Sequence, residues 1–554
     1  MFGSLRKCFL VKAAWVAMGF TLAGSLFAEN ALRQQIDDAV QAKAGDVPFA
    51  ESANDASFLR RVTIDLTGNI PTPAKVTAFL EDKSKEKRTQ LIDSLMGSEE
   101  FAVHWADRLS VMLLERQDLG KVTNEEWRGF LQDALRGKPH WDAMVRKMIS
   151  ATGKGDERAA MKFLGSGDHH AMTESIAQLF LGMNLTCAKC HDHPRVDEWK
   201  QLHYWGLFAY LNQTKVATQS KEKKTYLVET LAAQKVEFES VFDLEKTSTG
   251  PRLPDSEEVE IPEFEKGEEF DQAAADGLPA VPKFRPRERL ASDLTAKGNT
   301  HFARSSVNRI WFLLMGRGLF HPPDEMHGRN RPSHPDLMEG LAREFVTHSF
   351  DLKWLLREIM LSETYQRGSQ LPDGAPEVER TSYRVTYPKA LTPEQLLSAL
   401  LRATGNTEQA KALEVDPDAE KFDRKGYFTG TNLELPPSLE EIRAIFAQTY
   451  GQPAGEAEVD FVPGMNKSLF LMNDRLIRHW LTPREGNLVD RLGKLETPEA
   501  IARELYLSVL SRLPVEEERG TITDYLSKNE QRKEAALGDL AWALLNSAEF
   551  RFNH

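Results

Sequence analysis

The sequence predicts a mainly α-helical protein, with two helical domains and a small β-rich insertion or linker between them. Three observations carry this. Apolar residues recur at helical spacing over 56–149 and again after Pro286. Between these stretches, over 214–286, the pattern changes to short alternating runs among charges and prolines. The chain has 554 residues, of which 41% are hydrophobic and 28% charged, a globular composition longer than one core usually serves.

The elements follow in order. Residues 1–28 read as an export signal: Arg6, Lys7 and Lys12 precede an apolar run, Ala13 to Phe27, closed by Ala28. Cleavage would remove those three cations and take the formal charge from −13 to −16. Such a balance argues against nucleic acid or anionic membrane as partner. No integral membrane span is expected after cleavage, and the chain is expected in the periplasm or outside the cell.

The N-terminal helical domain is expected over 29–213. Thr72 can cap a helix whose first position is Pro73, with Val76, Phe79 and Leu80 at helical spacing. Residues 151–170 read as a Gly-rich loop, Thr173 to Met183 as a helix, and Trp199 to Leu211 as another. In the 214–286 insertion, Tyr226–Val228, Val236–Glu239 and Val259–Ile261 read as strands. The C-terminal helical domain, 287–554, opens with helices over Leu290–Ala296, Phe302–Met315 and Leu337–Phe345. Residues 405–435 read as loop, helices resume at Ser438, and 450–464 is loop again. One echo recurs: Ser98-Glu99-Glu100-Phe101 and Ser547-Ala548-Glu549-Phe550 each follow a helical run.

The sequence holds three cysteines. Cys8 would leave with the signal, so Cys187 and Cys190 are all that a mature chain would keep. They sit in Cys187-Ala188-Lys189-Cys190-His191, followed by Asp192-His193-Pro194. Cys-x-x-Cys-His is the attachment pattern of c-type haem. Two thiols three positions apart can each bond one vinyl group, and the adjacent histidine falls under the iron. On this reading Cys187 and Cys190 anchor the group, His191 is the axial ligand, and a porphyrin-sized apolar cavity is expected over His191. Met183, His104, His169, His170 and His203 are the candidates for the opposite face.

Two other readings stand beside it. Cys187, Cys190, His191 and His193 could hold a bare zinc ion, helped by His169, His170 or His203. Alternatively the two cysteines form a local disulfide, as a staple in a non-catalytic scaffold or binding protein. A metal-dependent hydrolase acting on extracellular polymers is a further class, with no catalytic pair to name. A second polar cluster, Asp324, His327, His334 and Asp336 with Arg329 and Arg331, could bind a metal or a polar substrate, and reads first as a loop whose side chains cap neighbouring helices. Arg309, beside Asn308 and Trp311, is expected in a buried ion pair. No nucleophile elbow, phosphate loop, dinucleotide fingerprint or His-Glu-x-x-His is present.

Two stretches carry a family resemblance. The run from Phe58 through Asp65-Leu66-Thr67-Gly68 to Thr72, together with Phe180 to Pro194, resembles the first domain of planctomycete-type cytochrome-associated proteins with paired domains of unknown function (DUF 1549 followed by DUF 1553). Phe302 to Trp311, Gly316 to Leu319, Pro332 to Pro335, Ser362 to Tyr365 and Leu545 to Phe550 resemble the second. The resemblance implies export, two domains and the cysteine site. It assigns no reaction, and the partner it leaves open is a protein or polymer outside the cytoplasm. Since the sequence has no second Cys-x-x-Cys-His, it implies one such site.

Overall fold

The computed structural model describes residues 31–231, 234–242, 246–413, 422–458 and 462–554. The expected signal, 1–28, lies outside them. The described chain is mainly helical with four small two-stranded antiparallel pairings. No helix among the described residues is long and apolar enough to cross a membrane.

Two hydrophobic cores organise the helices. The first draws on residues from Leu32 to Tyr383, with Leu507 added. Its N-terminal helices pack directly on helices that follow the insertion: Leu32–Ala42 lies on Pro335–Thr347 and Leu352–Leu361, and Trp141–Ser150 lies on Pro286–Leu294. Arg33 fixes the contact with Leu352–Leu361 by donating to Glu358 at 3.1 and 2.9 Å. The second core runs from Leu391 to Phe550 and takes in Ile64 and Ile70 from the N-terminal part.

The Asp55–Thr67 helix stands between these cores. Asn54 caps it by accepting from the Ser57 N–H at 2.9 Å. Phe58, Leu59, Val62 and Leu66 face the first core and Ile64 the second. A helix buried on all sides must answer its polar residues internally. Arg60, 1% exposed, donates to the carbonyls of Val509 and Phe550, at 3.2 and 2.9 Å. Arg61 donates to the Tyr365 carbonyl at 2.5 Å. Asp65 accepts from Tyr365 Oη, Lys389 Nζ and Asn553 Nδ2, each at 2.8 Å. The helix ends at Gly68, where φ is +67°, and a Cβ there would lie 2.4 Å from His104 Nδ1. Both the backbone and the space require glycine.

Local signals act where expected. Thr72 accepts from the Lys75 N–H with Pro73 at the first helical position, and Ser438 caps Leu439–Tyr450. The Ser-x-x-aromatic echo is one device used three times. Ser98, Ser362 and Ser547 each accept from the N–H three residues on, at 3.2 Å. Each hydroxyl also donates backwards to the end of the preceding helix, at 2.6–2.7 Å. The aromatic, Phe101, Tyr365 or Phe550, is buried every time. Cap and anchor together fix the angle between two consecutive helices.

The insertion holds three hairpins: Thr214–Thr218 with Thr225–Glu229, Val236–Glu239 with Lys246–Thr249, and Phe270–Gln272 with Val281–Pro282. Val259–Ile261 is not a strand. Val259 is buried in the first core, and Pro262 lacks the N–H a ladder needs. Residues 405–435, read as loop, contain the short helices Thr407–Lys411 and Arg424–Thr429. The Gly-rich 151–170 stretch winds into 3-10 turns at Gly155–Glu157 and Ala160–Leu164. The fourth pairing, Lys389–Ala390 with Phe552–Asn553, brings the C-terminus beneath Asp65.

Replacing Asp65 with Ala removes the buried carboxylate that Tyr365, Lys389 and Asn553 share. The expected cost is about 3–5 kcal/mol, seen as a lower urea midpoint. A pH effect follows from His104. Burial, with Arg108 and Lys389 nearby, pushes its imidazole from 6.5 down to about 3. The unfolded chain therefore takes up a proton near pH 6.5 that the fold refuses until about pH 3. Stability is full above 6.5 and falls as pH drops through that window, by about 1.4 kcal/mol per unit for this group. Urea titrations should show a shallower acid slope for His104→Gln than for the unaltered chain.

Candidate functional site

The Cys-x-x-Cys-His turn is presented by a helix that widens before it stops. Asp168 caps His169–Ile176 by accepting from the N–H groups of His170 and Ala171 at 2.9 and 3.3 Å. Over Ala177–Leu181 the helix opens to a π turn and ends at Gly182, φ +70°. Widening leaves carbonyls unpaired within the helix. Arg309 answers two of them, donating to Gln178 O at 2.6 Å and Leu179 O at 3.0 Å, and Ser305 donates to Leu179 O at 2.9 Å. This corrects the ion pair expected of Arg309: its hydrogen bonds go to carbonyls, with Asp324 and Glu115 acting on it through charge alone.

The chain then forms a 3-10 turn, Thr186–Lys189. Cys190 N–H bonds to Cys187 O at 3.2 Å and His191 N–H to the same oxygen at 3.4 Å. Leu185 and Ala188, both fully buried, peg the turn to the core. Residues three apart eclipse in such a turn. Cys187 and Cys190 are accordingly both exposed, as free thiols on one side.

The two histidines of the motif are locked in opposite tautomers. His191 Nδ1 lies 2.8 Å from the Asp192 carbonyl oxygen, which can only accept. Nδ1 therefore carries the proton, and Nε2 offers a lone pair. His193 Nδ1 receives the N–H groups of Arg195 and Val196, at 3.3 and 3.0 Å. Its neutral ring must carry the proton on Nε2, so His193 is no metal ligand while those bonds stand. Burial also depresses its affinity for a second proton. Asp192 holds the turn from below, accepting from Gln201 N–H at 2.9 Å and pairing with Lys200 at 3.0 Å. Burial opposes its charge, but those two donors keep its carboxyl below the ordinary range.

The second hairpin of the insertion leans over the turn. Val241 N–H bonds to Cys190 O at 3.1 Å, and the Phe242 ring sits 5.0 Å from the His191 ring. Phe242 is 80% exposed and Val241 59%. Gln201 Nε2 ties Lys189 O and Glu239 O together at 3.4 and 3.2 Å, and Trp205 stacks on Phe238 at 6.0 Å. Sequence reasoning did not single out Val241 or Phe242. The signal was there: two large apolar residues at the tip of a charged hairpin. A cavity of about 260 Å³ in the protein lies elsewhere, with no motif residue in its wall. Beside His191 the described residues place the exposed Val241 and Phe242 side chains as an apolar edge.

The other candidates keep separate company. Met183 is buried. His104 lies under Gly68. His169 bonds Thr214 O at 2.6 Å, His170 the Tyr204 hydroxyl at 2.6 Å, and His203 accepts from Lys200 N–H at 3.5 Å. Cys187, Cys190, His191 and His193 are not gathered as a metal site, and no group of three or more His, Cys, Asp or Glu side chains among the described residues is. The loop cluster separates as well. His334 is buried against Tyr383, and Asp336 is exposed. His327 packs edge-on against Trp199 at 5.1 Å, as His193 does at 5.2 Å.

For a c-type haem the chain's own groups fit at three points: two thiols on one exposed side, an imidazole with Nε2 available, and a carbonyl orienting that imidazole. For a bare ion, Cys187, Cys190 and His191 Nε2 are the available donors, His193 Nδ1 being taken by two N–H groups.

Residues 35–216 match the family described as PSCyt2, protein of unknown function (DUF1549), and residues 286–526 match PSD1, protein of unknown function (DUF1553). Comparison with curated proteins and with solved structures gave no match.

The tautomers are open to direct measurement. Histidine-selective ¹⁵N NMR of the reduced, ligand-free chain should show protonated Nδ1 at His191 and protonated Nε2 at His193. The same tautomer at both rings would contradict the geometry.

Proposed function

We propose, for a chain that belongs to the proteins pairing DUF1549 with DUF1553, that the Cys187–His191 turn is a covalent attachment site for c-type haem. The protein is then exported and does redox work in the periplasm or outside the cell. The observation that supports this best is the lock on His191, whose Nδ1–H is spent on the Asp192 carbonyl.

Each residue then has a task. The Cys187 and Cys190 thiols would hold the group, each sulfur bonding one vinyl carbon while the thiol hydrogen goes to the neighbouring carbon. His191 would offer Nε2 to the iron, and the Asp192 carbonyl keeps that ring from turning and makes it more basic. Val241 and Phe242 supply apolar cover on the hairpin side. When bound, the group supplies one-electron transfer. Exposed thiols and an exposed hairpin tip leave the site accessible, which suits exchange with a partner protein. Export belongs to the proposal because attachment of this kind takes place outside the cytoplasm.

Production in a host with haem-attachment machinery tests this. The expected product is coloured, and its haem absorbance survives denaturation and acid-acetone extraction. His191→Ala should keep covalent attachment but shift the spectrum, and Cys187→Ala with Cys190→Ala should abolish attachment. A colourless unaltered chain from that host overturns the proposal. Thiol titration then decides whether the cysteines form a staple instead.

A further inference from the structure

Between the two cores lies a cavity of about 260 Å³. The Glu99–Leu114 and Thr300–Met315 helices, the 380–393 segment and Phe552–Asn553 contribute to its wall. Among the described residues, five arginines and two lysines line it against two glutamates. That is a concentrated positive interior in a chain whose formal charge is −13.

Some of those cations are answered. Lys389 pairs with Asp65 at 2.8 Å, Lys467 donates to the carbonyls of Tyr450 and Val462, and Arg309 donates to the π-turn carbonyls. The glutamates act on the rest through charge, Glu458 on Arg108 above all, without a direct contact among the described residues. Glu458 is engaged by Arg116 at 2.7 Å, and burial raises the Glu115 carboxyl towards its neutral form.

Three guanidiniums remain under-satisfied. Arg61 is 1% exposed, and its Nε and Nη2 have no partner among the described residues. Arg317 Nε is buried without a partner among the described residues. Arg108 makes no hydrogen bond or ion pair among the described residues, since its neighbours Glu394 and Glu458 are both bonded to Arg116. Burial lowers the proton affinity of Arg108, with Glu458, Asp65 and Glu394 opposing through charge and Arg116 adding to the depression. Buried polar groups without partners are costly, and arginine's planar fork matches an oxyanion. Open donors on three guanidiniums around one space are groups an oxyanion would fill.

We propose that this cavity binds a small organic oxyanion, with Arg108 and Arg317 donating to its oxygens and Tyr383, Tyr387 and Phe312 packing on its body. The chemical class is a carboxylate, sulfate or phosphate ester on a body of about sugar-ring size. The volume lies below the roughly 300–1,000 Å³ of pockets that take drug-sized ligands. The proposal goes beyond the haem reading and does not rest on it, because no residue of the 187–193 turn lines the cavity.

Isothermal titration calorimetry on the purified full chain, at constant ionic strength, tests it with glucuronate, a glucose phosphate ester, inorganic phosphate and neutral glucose. Saturable binding is expected for at least one organic anion, with none for glucose. Arg108→Met and Arg317→Met should each weaken it about tenfold or more, the worth of one charge-assisted contact. Arg304→Met, at an exposed pair on another surface, should leave it unchanged. Circular dichroism checks the fold, and if Arg108→Met does not fold then Arg317→Met decides. Two results overturn the proposal: no saturable binding of either organic anion, or equal affinity in the unaltered chain and the folded variants. Inorganic phosphate binding as tightly as both organic anions overturns the sugar-sized body.

Discussion

The fold depends on one buried carboxylate. Asp65, with its side chain 4% exposed, accepts hydrogen bonds from groups 300, 324 and 488 residues further along the chain. An anion taken out of water must be matched closely, or its desolvation exceeds what pairing returns. Three donors at 2.8 Å provide that match. The pairing demands that Tyr365, Lys389 and Asn553 converge on the Asp55–Thr67 helix, and with them the end of the first core, the start of the second and the C-terminus. Arg60 and Arg61 extend the same constraint on neighbouring turns by capturing backbone carbonyls from both cores.

What lies around this helix inherits its position. Lys389 and Asn553 line the cavity between the cores, with Arg61 in its wall. Arg309, another wall residue, reaches out of the cavity to hold the π turn that leads to Cys187. The cysteine turn is thus pegged to the same scaffold through backbone carbonyls, while its thiols stay exposed. Rigid support beneath and reactive atoms outside is what a site of covalent attachment requires.

Much of this was legible in the sequence, where the signal is local. Helical periodicity, Thr72–Pro73, Ser438 and the repeated Ser-x-x-aromatic motif specify a turn or a helix end within a few residues, and they form as expected. The cysteine motif is equally local. Val259–Ile261 misled because burial and strand pairing both select apolar residues, and the proline that separates them comes afterwards. Arg309 misled because a buried arginine was matched to a carboxylate, whereas a π turn had freed two carbonyls for it. The partners of Asp65 could not be read, since no periodicity records which side chain meets another hundreds of residues away. Nor could the opposite tautomers of His191 and His193, two residues apart, which depend on whether a carbonyl or an N–H faces each ring. Val241 and Phe242 belong to the site only because a hairpin from the insertion folds back over it.

The tautomer lock and the paired thiols converge on one claim, that this turn carries a covalent haem. Peptide mapping by mass spectrometry tests it most directly, on the chain recovered from a host that attaches c-type haem. The peptide containing Cys187 to His191 should carry the mass of one haem, held by both sulfurs. Recovery of that peptide unmodified, as free thiols or as a Cys187–Cys190 disulfide, would contradict it.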